Sequence, residues 1–167
     1  IAYIDPLDLQ FNRFDRVPKP TTQAVMFCLM DASASMTENL KDLAKRFFML
    51  LHVFLTRHYK EVHVVFIRHT STAAEVDEET FYHTRESGGT RISSAYKVCA
   101  ELLSGQFSPS EWNIYCFQFS DGDNWGEDNE KSLGILRETL LPQVNLFCYG
   151  QVESPYGSGE YLRSLEQ

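Results

Sequence analysis

Apolar positions along this chain fall into two kinds of run, and each kind predicts a different element. Ala24 to Met30 (AVMFCLM) is short and unbroken, as suits a strand buried on both faces of a sheet, and it stops at Asp31. Val62 to Ile67, ending in Arg68-His69, has the same form. So do Asn113 to Phe119, ending in Ser120-Asp121-Gly122-Asp123, and Asn145 to Tyr149. Between these runs apolar residues recur at steps of three and four. After Leu40 they are Leu43, Ala44, Phe47, Leu51, Phe54 and Leu55; in the next segment they are Ile92, Ala95, Tyr96, Cys99, Leu102 and Leu103. Such spacing makes one face of an amphipathic helix, and Lys131 to Leu141 is read the same way. Ala73 to Val76 predicts a short edge strand, and Phe81-Tyr82 a further extended piece.

Strand and helix therefore alternate, and right-handed crossovers then place helices over the sheet they leave. The expected fold is α/β: a Rossmann-like, doubly wound, mostly parallel sheet with helices on both faces and an antiparallel edge strand. In open sheets of this kind ligands bind beyond the carboxyl ends of the strands, at the point where the strand order reverses. Asp31 and Asp121 both fall at such ends. Residues 1–23, with Pro6, Pro18 and Pro20 and no periodicity, predict an arm or linker, and 24–167 a single domain.

Composition narrows the partners. A net charge of -8 repels phosphate backbones, and the absence of a Lys/Arg stripe argues against nucleic acid. The longest apolar stretch, Phe47 to Leu55, is bracketed by Arg46 and Arg57, too short for a membrane span. Cys28, Cys99, Cys116 and Cys148 form no Cys-x-x-Cys pair and sit mostly in apolar runs, so they read as buried thiols of a cytoplasmic protein. The chain starts at Ile1 and reads as an excised piece, any targeting signal lying outside it.

The chemistry gathers at three loops. Asp31-Ala32-Ser33-Ala34-Ser35 follows a buried strand directly and turns a carboxylate and two hydroxyls toward one place. Gly88-Gly89-Thr90 and Ser120-Asp121-Gly122 supply more oxygens. A hard cation such as Mg²⁺ takes oxygen ligands and keeps waters readily, so this donor set suits it.

Asp-x-Ser-x-Ser, Gly-Gly-Thr and Ser-Asp-Gly in this order resemble the metal-ion-dependent adhesion site of von Willebrand A domains, over Ala24 to about Val152. A narrower likeness, to the bacterial YeaH/YhbH family, rests on Lys45-Arg46-Phe47-Phe48, Val64 to His69, Gly88-Gly89-Thr90, Trp112 to Tyr115 and Ser120 to Trp125. The resemblance implies Mg²⁺, with Mn²⁺ or Ca²⁺ as substitutes, held on Asp31, Ser33, Ser35, Thr90 and Asp121. Ser33 and Ser35 would bind directly, Thr90 directly or through water, and Asp31 and Asp121 largely through waters or hydrogen bonds. It further implies a protein partner offering an Asp or Glu side chain, and a link to a serine protein kinase system in stress or sporulation signalling. Glu86, Asp123, Asn124, Trp125, Arg68 and His69 are candidates for the metal rim or for partner contact. Ala34 stands where such domains commonly have Gly, which raises the question of a positive φ.

Other readings compete. Ser35-Met36-Thr37-Glu38 fits a helix capping box. Ser120 to Asp123 fits a polar turn. His63 and His69 have no partners at zinc-ligand spacing. The Phe47, Phe48, Leu50, Leu51 and Phe54 cluster reads as core, and Glu75, Asp77, Glu78 and Glu79 as a solvated edge. The alternative function is an Mg²⁺-dependent phosphatase of the haloacid dehalogenase type with Asp31 as nucleophile. That reading lacks an acid at position 33, where Ser stands, so a binding module rather than an enzyme is expected.

Overall fold

The computed structural model describes residues 22–83, 88–152 and 159–166. Its centre is a five-stranded sheet: β1 (Gln23–Asp31), β2 (Glu61–His69), β3 (Ala73–Val76), β4 (Asn113–Ser120) and β5 (Leu146–Gln151), in the order β3-β2-β1-β4-β5. β1 pairs in parallel with both β2 and β4, β4 pairs in parallel with β5, and only β3 is antiparallel, against β2. The fold is thus α/β with a mixed sheet, and the antiparallel edge strand lies at the predicted residues.

Alternation along β1 explains why its sequence is apolar throughout. Val25, Phe27 and Leu29 face one core, packed under α3 (Ile92–Gly105), α4 (Gly126–Ile135) and α5 (Glu160–Leu165). Met26, Cys28 and Met30 face the other, under α1 (Glu38–His58) and α2 (Glu78–His83). With Ala24 to Leu29 all fully buried, a polar residue anywhere in this run would be stranded without water. A buried polar chain ties the α3 side together: Tyr161 donates to Tyr96 (3.0 Å), and Tyr96 donates to the Gln118 side chain of β4 (2.5 Å).

The structure corrects several expectations. Phe81-Tyr82 is helical, not extended: the Asp77 carboxylate accepts from the Thr80 N–H (2.7 Å), Glu78 and Glu79 occupy the first turn, and Phe81 is buried. The helix expected over Lys131 to Leu141 starts earlier, at Gly126, and passes into a π turn at Leu136–Leu140. α1 buries Lys41, Ala44, Phe48 and Leu55, leaving Leu43, Phe47 and Phe54 of the predicted inner face exposed. That helix is apolar over much of its circumference, so spacing alone admits more than one inward face.

Cys28, Cys99 and Cys116 are buried and free as read, but Cys148 is exposed. The Cys99 and Cys116 sulfurs lie 3.8 Å apart without a bond. No helix among the described residues is long and apolar enough to cross a membrane.

Candidate functional site

The strand order reverses between β1 and β4, and there Met30 pairs with Phe119, bringing Asp31 beside Ser120. Asp31 is fully buried, and both of its carboxylate oxygens are occupied. Oδ1 accepts from the Ser33 N–H (2.8 Å), a local turn that Asp favours, and Oδ2 accepts from the Ser120 hydroxyl (2.7 Å). Ser120 Oγ in turn accepts from the Gly122 N–H (3.2 Å). The first and third loops are therefore joined through Asp31 and Ser120. Gly122 has φ +84, and a Cβ there would lie 2.6 Å from Gln151 Oε1, so this turn requires glycine.

Past Asp31, the Ser33 and Ser35 hydroxyls stand 3.2 Å apart, Ser33 buried and Ser35 half-buried. The capping-box reading of Ser35 does not hold, because the N-cap of α1 is Thr37, whose hydroxyl accepts from the Leu40 N–H (3.4 Å). Ala34 raises no backbone difficulty, since no described non-glycine residue has positive φ. Its N–H donates to the Gly88 carbonyl (3.1 Å), tying the first loop to the second.

Asp121 is 2% exposed, and its Oδ1 accepts from the Asp123 N–H (3.1 Å). Its Oδ2 is buried with no hydrogen-bond partner among the described residues. Loss of hydration raises the carboxyl above its ordinary range; the Ser35 hydroxyl and Asp123 N–H pull it back, and the charges of Asp31 and Asp123 push it further up. One buried carboxylate oxygen thus stands outside the hydrogen-bond geometry of the described residues, with the Ser35 hydroxyl acting on the same carboxyl.

Thr90 is buried in the second loop, and its carbonyl accepts from the Trp125 N–H (3.4 Å). Trp125 is 55% exposed, with the Arg91 guanidinium 4.6 Å from its ring centre. Asn124 acts locally: its Oδ1 accepts from the Ile92 N–H (3.1 Å) at the start of α3, and its amide donates to Asn129 (2.7 Å). Beside it the Asp128 carboxylate accepts from the Ser93 N–H (2.9 Å) and hydroxyl (2.5 Å). These acceptors satisfy backbone donors that open the helix, which fixes Thr90 one short step before it.

The expected site residues thus separate into groups. Hydrogen bonds and short contacts bring together Asp31, Ser33, Ser35 and Asp121, and Thr90 joins through the backbone of its loop. Asp123 and Trp125 lie at the open side, half-buried and exposed respectively. Glu86 falls outside the described residues. Arg68 and His69 are buried rather than on a rim: β3 pairs alongside the end of β2, Arg68 lies on the α2 side, where an N–H donates to the Thr80 carbonyl (3.5 Å), and His69 lies on the opposite side, near Asp31 and Asp128.

Both His69 ring nitrogens are buried without a hydrogen-bond partner among the described residues. Burial lowers the imidazole pKa below its ordinary value, while the charges of Asp31 and Asp128 oppose that shift. Sequence reasoning missed Ser120 and Asp128 as supports of the site. Ser120 carried a signal, since a hydroxyl at the last residue of β4 faces the end of β1 once the parallel pairing is known. Asp128 carried none beyond its place in the first turn of a helix.

Among the described residues no three His, Cys, Asp or Glu side chains form a metal cage. The groups that do meet are carboxylates and neutral hydroxyls, an all-oxygen set suited to a hard cation and poor for a soft one.

The similarities of the chain are consistent with this architecture. A fold likeness covers 78% of this chain and 67% of an aerotolerance-related membrane protein from Bacteroides fragilis, with a TM-score of 0.54 and 14% sequence identity. A UPF0229 protein of Bradyrhizobium diazoefficiens is 54% identical over 158 residues, 95% of this chain and 37% of that protein. A UPF0229 protein of Mesorhizobium japonicum is 51% identical over 152 residues, 91% of this chain and 35% of that protein. The chain therefore spans little more than a third of the length of these relatives. The family described as "Protein of unknown function (DUF444)" matches residues 1–167, from the first residue to the last, and the chain belongs to that family.

Proposed function

We propose that this domain is a divalent-cation-dependent protein-binding module, a von Willebrand A-type domain with an adhesion-type metal site. The observation that carries the reading is the buried Asp121 Oδ2, without a hydrogen-bond partner among the described residues, on a carboxyl next to Ser35, whose hydroxyl stands 3.2 Å from that of Ser33. In an octahedral Mg²⁺ shell with bonds of about 2.1 Å, neighbouring oxygens stand about 3.0 Å apart. The 3.2 Å between the two serine hydroxyls fits that edge. Ser33, Ser35 and Asp121 would hold the ion, with Thr90 beside them and Asp31 setting the loop through its two hydrogen bonds.

A bound Mg²⁺ supplies a concentrated positive charge at the end of the sheet. Asp121 would balance one of the two charges and the neutral hydroxyls none, so the ion would keep a net positive charge, and Asp31 has both oxygens committed to protein donors. An acidic side chain of a partner is the ligand such a field favours, and the exposed Trp125 beside the loop supplies apolar contact area for that partner. The phosphatase alternative has less support, since a nucleophilic Asp31 would have to break two hydrogen bonds and leave a fully buried position.

Titration of Mg²⁺ into chelator-treated protein by calorimetry tests the proposal. Saturable binding lost in Ser33→Ala and Asp121→Ala is the expected outcome; an isotherm unchanged by both substitutions refutes the assignment.

A further inference from the structure

The two helices that cover the Met26 side of the sheet are of unequal length, α1 having 21 residues and α2 six. α2 packs on β2 through Phe81, whose ring centre lies 4.7 Å from that of Phe66, and it is too short to fill the space beside α1. A cavity of about 360 Å³ remains there. Met26 and Cys28 of β1, Val64 and Phe66 of β2 and Phe48 of α1 line it. Val64 and Phe66 are only half-buried, although both belong to the apolar face beneath these helices. A concave, mostly apolar space of this size with a few polar groups at one end has the form of a small-molecule site.

Those polar groups are His52, Glu78 and Tyr82, of which His52 and Glu78 are exposed and Tyr82 is half-buried. Glu78 and Tyr82 also line an open depression next to the cavity, to which Asp42, Lys45, Asp77 and Glu79 contribute. The Lys45 ammonium is engaged already, donating to the Asp42 carboxylate (3.3 Å) and to the Tyr82 carbonyl (2.5 Å). Four carboxylates against one ammonium leave the approach to the cavity negative. The deeper wall is uncharged at neutral pH. Burial pushes the Cys28 thiol up, and it pushes the Tyr82 hydroxyl up to about 12, with Cys28 and Glu78 adding to that shift.

We propose that this cavity binds a small organic cation, its apolar body against Met26, Cys28 and Val64 and its ammonium at the mouth beside Glu78. The two ends of the site make separate demands on the ligand. Along the apolar part, each buried methylene contributes about 0.8 kcal/mol, which is about a fourfold gain in affinity. At the mouth the carboxylates favour a positive end over a negative one, and because they are exposed that preference is screened by salt. A pocket floored by the sheet and flanked by two helices suits a compact molecule better than an extended peptide. None of its lining residues belongs to the cation site, so the two proposals stand or fall separately.

Butylamine, hexylamine and octylamine, titrated into the protein and followed by backbone amide NMR shifts, test the proposal, with octanoate as the control of opposite charge. The amides of Cys28, Val64 and Tyr82 should shift saturably, and the dissociation constant should fall about fourfold for each added methylene. Octanoate should bind several-fold more weakly than octylamine at low salt, and the gap should narrow as salt is added. Val64→Trp, which puts an indole into the cavity, should weaken octylamine binding by on the order of tenfold or more. Glu78→Lys changes only an exposed position at the mouth; it should keep the fold and abolish the advantage of the amine over the acid. Octylamine that binds no more tightly than butylamine overturns the proposal. So does octanoate that binds as tightly as octylamine at low salt, or a set of shifts confined to residues outside the cavity.

Discussion

Replacing Asp121 by Asn separates the need for charge at the site from the need for shape. In the metal-free protein Asp121 Oδ2 is a buried oxygen without a partner, and an unsatisfied buried polar group costs about 1–3 kcal/mol, more when charged. The amide removes the charge, keeps an oxygen for the Asp123 N–H, and turns a donor toward the Ser35 hydroxyl. A gain of about 1–2 kcal/mol is expected, or roughly 2–8 °C in Tm for a domain of this size. Mg²⁺ at a hundred times its dissociation constant should stabilise the unsubstituted protein by about 2.7 kcal/mol, roughly 5–10 °C. Asp121→Asn should lose most of that response, because the ion loses a charged ligand. Thermal unfolding of both proteins in chelator and in Mg²⁺ gives all four values. An Asn variant that melts lower than the parent in chelator, or that gains as many degrees from Mg²⁺, refutes the account of Asp121.

Further outcomes follow from single contacts. Ser120→Ala removes the donor to Asp31 Oδ2 and the acceptor of the Gly122 N–H, and should cost about 2–3 kcal/mol in urea unfolding, as befits a bond to a charged group. Gly122→Ala forces an L residue to φ +84 and drives its Cβ toward Gln151 and Gly159; a loss of about 2–4 kcal/mol is expected by the same measurement. His69 has a folded-state pKa below the ordinary 6.5, so on acidification the unfolded chain takes up its proton first. Its contribution to stability is therefore present above pH 6.5 and falls as the pH drops through that value toward the lower folded pKa. Urea midpoints at pH 7.5 and 5.5, compared between the parent and His69→Gln, should show a smaller fall in the variant. Trp125→Ala should leave the Mg²⁺ isotherm unchanged and weaken metal-dependent partner binding, because the ring is exposed and stacks with the Arg91 guanidinium rather than with the site residues.

The sheet was legible in the sequence because burial on both faces leaves an unmistakable mark. Ala24 to Met30 has no polar residue because neither face of β1 reaches water, and Asp31 interrupts the run where the strand emerges beside β4. The loops could be placed for the same reason, since each polar motif begins where an apolar run stops. Which side of α1 faces inward was not legible. Leu43, Phe47 and Phe54 satisfy helical spacing as well as Ala44, Phe48 and Leu55 do, and only the position of the sheet decides between them. Arg68 and His69 were misplaced for a related cause. A charged residue and an imidazole at a strand end look solvent-facing until the layers on the two faces are known: α2 lies over Arg68, and His69 points to the opposite side, near Asp31 and Asp128. Phe81-Tyr82 resembles a strand by composition, and Asp77 turns it into a helix through one hydrogen bond. Within the site, the bond from Ser120 to Asp31 joins residues from separate loops that no local pattern links.

The central place of β1 bears on how the protein is made. This strand leaves the ribosome well before one of its two neighbours, β4, which begins only at Asn113. Until that stretch has been synthesised, a nascent segment greasy on both sides waits with one hydrogen-bonding edge bare, a template for other chains emerging nearby. Asp31 gains its Ser120 donor only after that late docking. Synthesis stalled or terminated before Ser120 should therefore yield aggregates rather than a smaller working domain, and coexpressed holdase chaperones should rescue yield most at that stage.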